Sequence, residues 1–191
     1  TPKVIILDAD ISDNNIESIK KYRHEITLYY PANVQSLWKN YELPDLNWLV
    51  KQAMHDIDCG KRIFFNTDSK KTCDVVAELL RSTIPASEKD RIVSIHCDSK
   101  EKDLYRITER MKKSTHVLAV IVSPTIVTGV DISAPIFDTV FSYYKGCSIS
   151  PFGGGQQKDR IRPNGMKGEH IRYIAFSQTA GNYSHGDIDS R

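Results

Sequence analysis

The sequence predicts an α/β domain, a mostly parallel sheet with helices on both faces, and two observations carry that expectation. Apolar runs of four to six residues alternate along the chain with segments of helical periodicity, and the strand-like runs are continuously apolar rather than alternating, which is the pattern of strands buried on both faces. The most apolar of them, Val117 to Val122, breaks abruptly into small hydroxylated residues, Ser123-Pro124-Thr125-Ile126-Val127-Thr128-Gly129-Val130-Asp131. A buried strand stopped by Ser-Pro and followed by a loop of hydroxyls and glycine is how a ligand site is built on an α/β sheet.

The elements follow in order. Lys3 to Ala9 reads as a short strand closed by Asp8-Ala9-Asp10-Ile11-Ser12, and Ser12 or Asp13 can cap a helix carrying Ile16 and Ile19. Glu25 to Tyr30 reads as a second strand, and Pro31 to Pro44 as a connection anchored by Trp38 and Tyr41. Leu46, Leu49, Val50, Ala53, Met54 and Ile57 fall at helical spacing, with Gly60 where a C-terminal cap belongs. Arg62 to Asn66 is the next strand, and Thr67 to Ser69 supply a turn and N-cap. The helix that follows takes Val75, Val76, Leu79 and Leu80 as its apolar face. Arg91 to His96, a charged helix from about Lys100 to Lys113, the Val117 strand, Phe137 to Tyr144 and His170 to Phe176 complete the series. From Ser177 onward Gly, Ser, Asn and Asp predict a loose tail.

Bulk composition bounds the function. The 191 residues, 40% apolar, suffice for one ordinary domain, and 26 basic against 24 acidic residues leave no global excess to attract nucleic acid or a membrane surface. Any such role is local. No apolar run approaches the roughly 20 residues that cross a bilayer, and the N-terminus has no secretory signal, so a cytoplasmic protein is expected. Cys59, Cys73, Cys97 and Cys147 lie far apart without the pairing or histidine spacing of a zinc site, so they are read as free thiols and no metal site is expected. The chain opens on Thr1 and enters a strand within three residues, which suggests a start inside a larger protein.

A second glycine-rich stretch, Gly153-Gly154-Gly155-Gln156-Gln157-Lys158-Asp159-Arg160-Ile161-Arg162, sets two arginines two apart, a placement suited to gripping phosphate oxygens. The order of motifs then becomes informative. Lys61 to Lys71, Ser94 to Ser99, Ser123 to Ser133 and Gln156 to Arg162 together resemble motifs IV, V and VI of superfamily-two helicases, the set borne by the second RecA-like domain. Leu7-Asp8-Ala9-Asp10 and the phrase Ser-Pro-Thr-Ile-x-Thr-Gly-Val-Asp-Ile resemble, within that superfamily, the helicases of plasmid replication and viral origin-binding proteins. Asp159 stands where the family has glycine in its Gln-x-x-Gly-Arg motif.

The resemblance implies a RecA-like fold, with residues 1–12 as the end of a first RecA-like domain or a linker strand, 13–176 as the second domain and 177–191 as the tail. It implies that Arg160 or Arg162 serves as an arginine finger to ATP, with Gln156 orienting, and that Gly129 and Asp131 couple the nucleotide cleft to a strand groove. Ser123, Thr125, Thr128, Ser69 and Lys70 would hold phosphates of single-stranded DNA. ATP and Mg²⁺ would sit mainly on an N-terminal RecA-like partner domain. No Gly-x-x-x-x-Gly-Lys-Ser/Thr occurs here: Cys59-Gly60-Lys61-Arg62 lacks the spacing and hydroxyl, and Gly153-Gly154-Gly155 lacks the lysine. The chain alone is therefore expected not to turn over ATP.

Other readings stay open beside this one. The lobe can be a catalytically inactive docking module. Asp8 and Asp10 also fit an Asp-x-Asp phosphatase, which would need a later lysine and acidic pair, or a glycosyltransferase, which would need a longer nucleotide-binding unit before them. His96 reads as a structural strand-end histidine, and Trp38 and Trp48 as core or lid packing rather than base-stacking platforms.

Overall fold

The computed structural model divides the chain into two compact units, Thr1–Gln35 and Ser36–Arg191. The structure describes residues 38–99, 104–113, 116–123, 135–146, 161 and 166–177, all in the second unit. The strands and helix expected before residue 31, the boundary at residue 12 and the tail beyond Ser177 lie outside the described residues.

Six strands form one sheet: β1 (Lys39–Glu42), β2 (Ile63–Thr67), β3 (Ile92–Ile95), β4 (Ala119–Val122), β5 (Phe137–Tyr144) and β6 (Met166–Phe176). Three helices are described, α1 (Leu46–Asp58), α2 (Lys70–Ser82) and α3 (Leu104–Lys113). The order across the sheet is β1-β6-β5-β2-β4-β3, and every pairing is parallel. The expected parallel sheet is therefore observed, and all six carboxyl ends emerge along one edge.

Burial on both faces follows the pleat. Ile63 and Phe65 of β2, Ala119 and Ile121 of β4 and Phe141 of β5 join Leu49, Val50, Ala53, Val76 and Leu80 from α1 and α2 in one apolar cluster. Phe64, Val120, Val122 and Val140 turn the other way and pack with Ile107 and Met111 of α3. Because side chains alternate along a strand, a segment covered on both sides is apolar at every position, as Ile63 to Phe65 are. Aromatic rings tie the strands further: Phe65 stacks on Phe141 at 6.0 Å, Phe141 on Tyr173 at 5.3 Å, and Phe64 meets Phe137 edge-on at 5.4 Å.

Polar contacts fix the helices to this sheet. The Asp56 carboxylate on α1 is fully buried, and it accepts hydrogen bonds from Thr139 of β5 at 2.7 Å, Gln52 at 3.1 Å and Lys61 at 2.9 Å. A buried carboxylate is tolerable only with such donors. Arg62, also buried, donates to the carbonyls of Met111 at 2.7 Å and Val117 at 3.3 Å, joining the start of β2 to the end of α3 and the run into β4.

Several expectations are corrected. Lys39–Glu42, read as connection, is an edge strand paired with β6, formed although all four of its residues are exposed. Arg91 falls in a 3-10 turn, Ala86–Arg91, and β3 begins at Ile92. β6 begins at Met166 rather than His170. The buried face of α2 is Thr72, Cys73, Val76, Ala77 and Leu80, while Val75 and Leu79 point outward at 44% and 40% exposure. Helical spacing admitted both registers, and packing chose the one that buries Cys73 and Ala77 against the sheet. Trp48 is 55% exposed beside the Lys51 ammonium rather than packed in the core.

The expected Gly60 cap is present. Gly60 takes φ +76°, its N–H donates to Ile57 O at 2.8 Å and the Lys61 N–H to Asp56 O at 2.9 Å, the paired bonds of a Schellman ending. A Cβ at Gly60 would meet nothing within 4 Å, so Gly60→Ala is penalised by backbone conformation alone. We expect it to lower unfolding free energy by about 1–2 kcal/mol in denaturant titration.

Cys73 is fully buried and its thiol is pushed up to about 12, chiefly by burial. In the unfolded chain a cysteine ionises near pH 8.5. Between those values the unfolded state sheds the proton that the folded state keeps, so stability falls as pH rises through that window. Alkylation of the native protein followed by mass mapping is expected to modify the exposed Cys59 and Cys97 and to spare Cys73 until the protein unfolds.

Candidate functional site

With every strand parallel, the carboxyl edge collects the residues that follow each strand: Leu43, Asp68 to Lys70, His96 to Ser99, Ser123, Lys145 and Gly146, and Ser177. In the β2-β4-β3 half of that edge, Ser69 and Lys70 follow β2, Ser123 follows the adjacent β4, and Lys70 reaches the turn after β3 through Asp98. Three of the expected site residues thus share one half of the carboxyl edge.

Ser69 is the N-cap of α2, its Oγ accepting the Thr72 N–H at 3.3 Å while its carbonyl accepts from Cys73 at 2.9 Å. The cap holds the positive end of a 13-residue helix toward the edge, where an anion would meet it. Lys70, the first helical residue, places its ammonium in an ion pair with Asp98. That pair is exposed on both sides and raises the lysine while lowering the carboxyl, each through their mutual hydrogen bond first. Solvent screens such a pair, so a phosphate can compete for Lys70.

Ser123 is placed differently from a solvent-facing loop residue. It is 1% exposed, and its N–H donates to Ile95 O at 2.9 Å, extending the β3–β4 ladder by one residue. Its backbone amide is therefore committed to the sheet.

The turn after β3 is tightly tied. The His96 N–H donates to Ser99 Oγ at 2.9 Å, Ser99 N–H returns to His96 O at 3.0 Å, and the Asp98 N–H donates to His96 Nδ1 at 3.2 Å. The other ring nitrogen, Nε2, meets Asp74 of α2 at 3.1 Å. His96 thus follows directly on β3 and is held there by its own turn and by Asp74. In the other half of the edge, buried Asp68 accepts from the Lys145 N–H at 2.9 Å and the Gly146 N–H at 2.7 Å, with Gly146 at φ +72°. Beneath it Asn66 accepts from the Tyr144 hydroxyl at 2.8 Å.

Thr125, Thr128, Gly129, Asp131, Gln156, Arg160 and Arg162 lie outside the described residues. Ile161, between the two arginines, is fully buried in the cluster with Phe64 and Met111. Sequence reading missed three residues that organise the edge: Asp98, which faces Lys70; Asp74, which orients His96; and Asp68, which grips the end of β5. Asp68 and Asp98 lie in loops and Asp74 in the second turn of α2, with nothing in their immediate sequence to mark a partner.

The architecture is the α/β RecA-like fold. The C-terminal part of the Fun30 ATPase domain superposes with a TM-score of 0.51 at 15% identity, over 75% of this chain and 47% of that one. Dbp5 of S. cerevisiae, bound to RNA and ADP BeF3, superposes with a TM-score of 0.58 at 18% identity, over 89% of this chain and 44% of that one. The chain therefore spans less than half the length of either. No protein-family model and no curated protein matches the sequence.

The site geometry predicts a separation of roles between two adjacent residues. Ser69→Ala removes a cap and should lower stability by about 1 kcal/mol. Lys70→Ala removes only an exposed ion pair and should leave the thermal midpoint unchanged in the same calorimetric comparison.

Proposed function

We propose that this chain is the second RecA-like lobe of an ATP-dependent DNA helicase or translocase of the kind acting in plasmid or viral replication. The observation that carries the reading is the gathering of Ser69, Lys70 and Ser123 on the carboxyl edge of an all-parallel sheet whose fold is shared with Fun30 and Dbp5. Single-stranded DNA would cross this edge, its phosphates held by Lys70, the start of α2 and the hydroxyls of Thr125 and Thr128, without base readout. Ser123, buried and with its amide already bonded, would contribute by positioning that loop.

ATP and Mg²⁺ would be held mainly by a first RecA-like lobe carrying the phosphate-binding loop and an Asp-Glu pair. Arg160 or Arg162 would reach the γ-phosphate from this side and stabilise charge on the transferring group, with Gln156 orienting and Gly129 and Asp131 linking cleft to groove. Dbp5 is a neighbour seen with nucleotide and RNA, which supports a nucleotide and nucleic-acid role for the same fold. An inactive docking lobe remains the second reading, supported by the outward-facing Trp48, Val75 and Leu79.

Two measurements test this. Fluorescence anisotropy with a labelled single-stranded DNA should show weaker binding by Lys70→Ala and a salt slope reduced by about one. Asp98→Asn, which frees the ammonium, should bind more tightly. In the two-lobed protein, Arg160→Ala and Arg162→Ala tested separately should include one with ATPase lowered about 10³-fold. Normal turnover in both would favour the docking reading, and unchanged DNA affinity in both Lys70 and Asp98 variants would remove this edge from the strand path.

A further inference from the structure

The turn after β3 holds three different donor types in consecutive residues. Among the described residues, His96, Cys97 and Asp98 bring an imidazole nitrogen, a thiol sulfur and a carboxylate oxygen within 4.8 Å of one another. Cys97 and Asp98 are exposed and His96 is half-buried.

Two further observations distinguish this cluster from scattered surface residues. The turn is pre-organised by its own bonds, Ser99 Oγ accepting the His96 N–H at 2.9 Å and donating to Ser94 O at 3.2 Å. The histidine is also oriented from outside the turn. Asp74 faces Nε2 at 3.1 Å, and the Asp98 amide donates to Nδ1 at 3.2 Å, so the proton belongs on Nε2 and the lone pair on Nδ1. A carboxylate behind one ring nitrogen, which leaves the lone pair on the other, is the arrangement that orients a metal-bound histidine.

We propose that His96 Nδ1, Cys97 Sγ and Asp98 form a binding site for a borderline-soft divalent transition metal of the zinc class, with water as the fourth ligand. The donor set selects the class: a thiolate and an imidazole suit zinc, while magnesium and calcium take oxygen ligands. Donors of a tetrahedral zinc site lie about 3.3–3.8 Å apart, so the cluster needs only small rotations of two exposed side chains. On binding, the Cys97 thiol releases its proton to solvent as the metal–sulfur bond forms, and Nδ1 exchanges the Asp98 amide for the metal.

One consequence separates this site from adventitious thiol binding. Asp98 is the partner of Lys70, so the ammonium and the metal compete for one carboxylate. The site was not legible from cysteine spacing, which looks for paired cysteines rather than one cysteine flanked by other donors.

Cobalt(II) titration of the intact chain, with a non-thiol reductant, tests the proposal without reference to nucleic acid or ATP. The expected result is a thiolate-to-cobalt charge-transfer band that saturates at one equivalent and is displaced by zinc. Cys97→Ser should abolish the band, and Cys59→Ser, at the other exposed thiol among the described residues, should retain it. Asp74→Ala should weaken binding about 10–100-fold, and Lys70→Ala should strengthen it several-fold. All four positions are exposed or half-exposed, and a thermal melt of each variant confirms folding. Absence of a saturable band, its persistence in Cys97→Ser, or affinity indifferent to both Lys70 and Asp74 would overturn the assignment.

Discussion

The double burial of β2 is the constraint from which the rest of this domain follows. All five of its residues are inaccessible, its backbone pairs with β4 on one side and β5 on the other, and its side chains enter both apolar clusters. A strand with no free face or edge needs helices above and below, and needs neighbours that return by crossover. Parallel pairing and the two helix layers are therefore one requirement expressed twice. The carboxyl edge inherits its polarity from the same cause, because chemistry can emerge only where β2 and its neighbours end.

That edge is uneven in a physically instructive way. In the β5 half, Asp68 is buried and grips two backbone amides, and the Asn66–Tyr144 contact sits beneath it, so the loop after β5 is set by groups withdrawn from solvent. In the β3 half, the charged contacts of Lys70, Asp98 and Asp74 lie in water, where they are individually weak and exchangeable. The first arrangement defines geometry. The second leaves charges that an incoming anion or cation can rearrange at little energetic cost.

The sequence carried the architecture well because its signals are local and periodic. Continuous apolar runs identified β2 and β4, helical spacing identified α1, and Gly60 marked the end of that helix through a backbone conformation that few other residues adopt. Where burial is decided by partners distant in sequence, legibility failed. β1 owes its extended form to β6, roughly 130 residues on, and is exposed at every position. Val75 and Leu79 of α2 stay outside while Thr72, Cys73 and Ala77 are buried with Val76 and Leu80, a choice of face that is made by packing on the sheet and that the helix alone does not contain. The site divided along the same line: Ser69 was readable as a cap, whereas the opposition of Lys70 to Asp98 and of His96 to Asp74 arises only when β3 is laid beside α2.

A mechanical property follows from the uniform direction of the strands. A tug on the loops at the carboxyl edge runs along the strands rather than across them, so the rungs on both sides of β2 are loaded in shear and share the strain. Peeling, in which rungs fail one at a time, would require pulling sideways at an outer strand such as β1 or β3. The domain is accordingly stiffest along the direction in which anything gripping that edge would pull.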